Sequence, residues 1–169
     1  MDREEFFFLI PGVLYGIALF DLLSVFRAKK YYWESLAWAL ILFVSLVGNL
    51  FDLYPKLTAI SQNLWVYLIY LLSPLMFVHA CYVIASQDDK LEQKDRFITY
   101  RKSFFGALAG FILINILAQL FVVNDNRLIF RLIVLAFFVP HLFIDQVKLR
   151  AVSLVATAAL LGYQLMVVT

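Results

Sequence analysis

Charge is scarce in this chain. Asp, Glu, Lys and Arg make up 15% of its 169 residues, against about 25% in an ordinary soluble domain. Hydrophobic residues make up 64%, where about 45 to 50% is usual, and a water-soluble fold of this size has no interior large enough to hide them. Cysteine is nearly absent: Cys81 stands alone, which excludes an internal disulfide framework and a CxxC redox pair. Strict apolar–polar alternation over short segments is missing too, so a transmembrane barrel is not expected. No GxSG, HExxH, phosphate-binding loop or paired-aspartate transferase signature occurs, and an enzyme is the weaker reading. The basic residues form no single patch, which argues against nucleic acid as a partner. The opening residues MDREE are acidic and lead into a long aromatic-rich run, unlike a secretory signal peptide.

What remains are solid apolar blocks, each close to the ~20 residues that an α-helix needs to cross a hydrocarbon core of ~30 Å. They predict an all-α membrane protein, a bundle of six transmembrane helices at about 6–26, 34–54, 64–85, 104–123, 128–145 and 151–168. Pro11 is expected in the opening turns of the first span, and Pro55 at the close of the second. Ser73-Pro74 falls within the third, where a proline bends a helix that its neighbours can still accommodate. Gly12 and Gly16 make a GxxxG pair suited to close helix contact, and small residues line the sixth span.

Residues 86–103 form the only long polar segment, at the middle of the chain. Ser86 and Asp89 have capping-box spacing, and Glu92 precedes Arg96 by four. A helix from about Asp88 that runs into the fourth span or bends toward it, lying partly on the membrane surface, is therefore predicted. The segment carries four acidic residues (Asp88, Asp89, Glu92, Asp95) and five basic ones (Lys90, Lys94, Arg96, Arg101, Lys102), a near balance that suits self-association or a protein partner.

Lysine and arginine set the expected topology. Arg27, Lys29, Lys30, Lys90, Lys94, Arg96, Arg101, Lys102, Lys148 and Arg150 fall on one side, ten in all, against Arg3, Lys56, Arg127 and Arg131 on the other. The positive-inside rule then places both termini outside a plasma (inner) membrane and the central segment in the cytoplasm.

No charge falls at the middle of a span, which is the usual mark of an ion or proton pathway. The candidate residues lie nearer the ends. Asn49, Asp52, Asn115, Gln119 and Gln164 are placed to line a polar cavity toward the outer side. Asp21, His79, His141 and Asp145, with Tyr82 as a further member, are placed for an inner-leaflet cluster. His79 and His141 share a depth on different spans, an arrangement that can ligate haem b, and His141 and Asp145 stand four apart, which suits an oriented imidazole. No metal site is expected, and haem is the one cofactor to weigh. The leading functional expectation is a small polytopic protein that acts by assembly, as an oligomeric pore or transport unit or as the membrane subunit of a larger complex. The alternatives are a haem or enzymatic site around the two histidines, and a sensor that signals to a cytoplasmic partner through residues 86–103.

Overall fold

The computed structural model describes residues 3–27, 32–60, 63–85, 92–121 and 127–168. Six α-helices follow one another: α1 (Arg3–Phe26), α2 (Trp33–Ile60), α3 (Leu64–Ile84), α4 (Gln93–Phe121), α5 (Leu128–Phe138) and α6 (Val147–Val168). No strand occurs among the described residues. Within them, four stretches are long and apolar enough to cross a membrane: Phe7–Phe26, Trp33–Leu53, Leu64–Ile84 and Gln93–Leu120. That fits a membrane-embedded helical bundle.

The prolines show how these helices tolerate a missing donor. Helix α1 begins at Arg3, so Pro11 sits in its interior, more than two turns from the start rather than in the opening turns. Its ring deprives the Phe7 carbonyl of its usual partner four residues on. The Tyr67 hydroxyl of α3 donates to that carbonyl at 3.0 Å, so a neighbouring helix supplies the bond that proline removes. Helix α2 likewise continues past Pro55 to Ile60 instead of stopping there.

Pro140 has the opposite effect. Helix α5 ends at Phe138 and gives way to a 3-10 turn, Val139–Leu142, with Phe143 and Ile144 both donating to the Pro140 carbonyl at 3.1 and 2.9 Å. The fifth element is thus about 25 Å long by helical rise, short of the ~30 Å hydrocarbon core. The expected single span to residue 145 is replaced by a helix, a 3-10 turn and residues 144–146 outside any helix. Arg150 lies in the first turn of α6, which begins at Val147, earlier than expected.

Packing follows the chain only in part. Helix α3 packs most closely on α4 and also on α1, while α2 touches α1, α3, α4 and α6 and so occupies a central place. Helix α4 carries α5 and its 3-10 turn. The core is aromatic: the Trp38 indole meets the rings of Phe104, Phe105 and Phe138 at centroid distances of 5.6, 5.5 and 5.9 Å, edge to face. As the polar segment predicts, α4 is unbroken from Gln93 through the apolar run to Phe121. Residues 86–91, with the Ser86 and Asp89 cap, lie outside the described residues.

Candidate functional site

Two polar groupings occupy opposite ends of the bundle. The first is built where α2, α4 and α6 meet. Glu34 opens α2 just beyond Tyr32 and Trp33, and Arg150 closes the first turn of α6. The Arg150 Nε donates to the Glu34 carboxylate at 2.8 Å, with the two side chains 3% and 1% exposed. Arg150 also pairs with Asp145, and Arg101 of α4 binds the other oxygen of that carboxylate. The Tyr32 hydroxyl donates to Glu34 at 2.8 Å. Burial first, and then this bond to the carboxylate, raise the Tyr32 phenol above its ordinary value and keep it a donor. Two carboxylates and two guanidiniums balance here, and burial without balance would be very costly.

His141 sits beside this knot but is not held by it. Its ring is fully buried, stacks on Phe105 at a centroid distance of 4.1 Å, and places Nε2 2.8 Å from the Ser153 hydroxyl. The Ser153 hydroxyl also reaches the Phe137 carbonyl at 3.3 Å, and the Nδ1 of the ring is buried without a partner. The expected His141–Asp145 pairing is therefore corrected. Pro140 breaks the helix before the four-residue spacing can put both on one face, and Asp145 is taken by the two arginines. His79 is exposed and bonds Ser103 through Nε2 at 2.8 Å. Asp21 is buried in α1, near Cys81 of α3. Tyr82 is exposed on the surface. His79, His141 and Asp145 thus go to separate partners rather than to one centre. Among the described residues, no three His, Cys, Asp or Glu side chains gather as a metal ion would require.

The second grouping is a cleft of about 690 Å³ between α2, α4, α5 and α6. Its volume is that of a site for a small organic ligand. The deep end is apolar, with Trp38, Phe77, Phe111 and Phe138. The other end carries Asn49, Asp52, Asn115, Arg127, Arg131 and Gln164. Arg127 pairs with Asp52, the two side chains 25% and 29% exposed. Arg131 donates to the Gln119 side chain and, at 3.3 Å, to the Asn115 carbonyl. The Asn115 amide reaches across to the Ser73 hydroxyl of α3 at 2.7 Å, and Asn49 turns its amide onto the Ser45 carbonyl one helical turn back.

Four of the five residues expected in a polar cavity therefore line one cleft, and Gln119 holds Arg131 from beside it. Sequence reasoning missed the arginines as members: Arg127 and Arg131 count there only as topological charges. It also missed Glu34, Arg101 and Arg150. The available signal was an acid and a base at the starts of two apolar helices that enter the bundle from the same end. No family model, no curated protein and no solved structure matches this chain.

Proposed function

We propose that this chain is a polytopic integral membrane protein, with α5, its 3-10 turn and residues 143–146 together making the fifth of six crossings, and that it works as a small binding or transport unit with the cleft between α2 and α5 as its working site. The observation that carries this reading is the cleft itself, about 690 Å³, apolar at depth and polar at its lip. The lysine and arginine asymmetry supports a lip on the outer side, with the Glu34–Arg150 knot and the start of α4 in the cytoplasm. Cys81 is the only cysteine and is buried, so single cysteines can be placed in a silent background. Gln164→Cys should react with a membrane-impermeant thiol reagent added outside intact cells, while Lys102→Cys should react only after permeabilisation. Failure of Gln164→Cys to react under either condition would remove the accessible cleft. Outside labelling of Lys102→Cys would invert the topology.

Assembly is a second reading, favoured by one feature of α1. A Cβ added at Gly16 would meet nothing within 4 Å, and Val13, Ile17 and Phe20 around it are exposed, so the GxxxG face looks away from the bundle. An oligomeric pore, or a place in a larger membrane complex, would use that face. Cross-linking in native membranes should yield a dimer band that Gly16→Leu abolishes; an unchanged band, or none in the parent, counts against it. A haem shared by His79 and His141 draws no support from the geometry, since each Nε2 already engages a serine and only one of the rings is buried.

A further inference from the structure

We infer that the ligand of the cleft is a lipid with an anionic phosphate head, one acyl chain lying along α2 toward Trp38 and the phosphate at Arg127 and Arg131. This rests on the cleft being the working site and names its substrate class. Three observations carry it. The first is depth. From Asp52 to Trp38, α2 advances by about 21 Å at 1.5 Å per residue, enough for a chain that normally spans half of a ~30 Å core. Between these ends the walls are hydrocarbon and aromatic, including Ile41, Leu42, Phe111 and Val134. Below the lip the only polar side chains in the lining are Ser45 and Thr157, and no charge lies there.

The second observation is charge. The charged lining residues are Arg127, Arg131 and Asp52, a net of +1, all at one end. A guanidinium presents its N–H donors in a planar fork that matches phosphate oxygens, so a phosphate can compete for Arg127 with Asp52 and for Arg131 with Gln119 and the Asn115 carbonyl. An incoming phosphate would share Arg127 with Asp52 or displace it. The third is access. Phe43, Val47 and Phe51 line the same cleft yet are exposed, Phe51 by 80%, so the cleft opens sideways along α2 as well as at its lip. A lipid can therefore enter chain first from the bilayer without leaving it.

Trp38 supplies the test. It is fully buried at the deep end, whereas Trp33 and Trp65 are 52% and 74% exposed, so Trp33→Phe with Trp65→Phe leaves one fluorophore. Purified full-length protein is titrated with lysophosphatidylglycerol brominated near its chain terminus. Saturable quenching of Trp38 is expected, displaced by the unbrominated lipid. A monoacylglycerol of equal chain, whose head lacks the phosphate, should need about tenfold more for half-saturation, the worth of one charge-assisted hydrogen bond, and Arg131→Gln should raise the anionic value about as much. Arg131→Lys should recover part of the loss, and the headgroup comparison needs no variant if the glutamine protein folds poorly. Non-saturating quenching, or equal affinity for both heads, overturns the inference. If Gln164→Cys still labels from outside in that case, the transport reading stands without the lipid; if it does not label, that reading fails by itself.

Discussion

At each end of the bundle an arginine meets a carboxylate, in two different settings. At one end Arg150 and Glu34 are 3% and 1% exposed, with Tyr32, Asp145 and Arg101 completing the set. At the other end Arg127 and Asp52 are 25% and 29% exposed at the lip of a cleft. Burial decides what each pair does. A dry pair has no water to replace a lost partner, so it acts as a lock between α2 and α6. A partly exposed pair at the lip contributes less and can exchange its partner for a ligand. The lock end is also where aromatic rings close around Trp38, while the lip end keeps its space between helices.

The sharpest way to break this comparison is at the lock. Glu34→Gln keeps the shape of the side chain and removes its charge, leaving the Arg150 guanidinium buried with only the exposed Asp145 to balance it. A cost of about 3 to 5 kcal/mol is expected, large enough to lower the thermal midpoint of the purified protein strongly. Combining it with Arg150→Met should restore much of the loss, because no uncompensated charge then remains. If Glu34→Gln is no worse than the matching change at Asp52, burial does not separate the two ends.

The lock illustrates what sequence reading can and cannot reach. Apolar blocks of about 20 residues place the helices, because hydrocarbon thickness fixes their length. Rotation about a helix axis is another matter. His79 and His141 lie at similar depths by counting, yet one is exposed and the other wholly buried, since depth carries no information on which face meets a neighbour. Glu34 and Arg150 are 116 positions apart, and nothing local to either marks the other as its partner. Asn49 and Asp52 are nearer to legible: three residues apart on one helix, they share a face by periodicity alone. The prolines divide in the same way. Pro11 is absorbed only because Tyr67 happens to face the Phe7 carbonyl, while Pro140 ends its helix, and composition does not distinguish the two.

Between the two ends, Asn115 joins α4 to α3 through Ser73, and this bond should be intermediate in worth. Asn115→Ala is expected to cost about 0.6 to 1.7 kcal/mol, the range for interhelical hydrogen bonds among membrane helices. Thermal unfolding of Asn115→Ala, Ser73→Ala and the double variant would show it. The double variant should lose no more than the larger single change, and strict additivity would mean that the two side chains do not act together.

The smallest stability effect, and the most informative one, is expected at the lip. Asp52→Asn removes a carboxylate that is already 29% exposed, so the thermal midpoint should move little, by the equivalent of about 0 to 1 kcal/mol. Binding should move in the other direction. Without Asp52 the charged lining residues change from a net of +1 to +2, and Arg127 no longer has to leave a carboxylate to meet a phosphate. Half-saturation of Trp38 quenching by the anionic lipid should fall several-fold, with the monoacylglycerol affected less. A variant that loses stability as Glu34→Gln does would show the Arg127–Asp52 pair to be a second lock, and the lip would then be a brace rather than an entrance. A variant that keeps its stability and gains anionic affinity separates the two pairs by function as well as by burial.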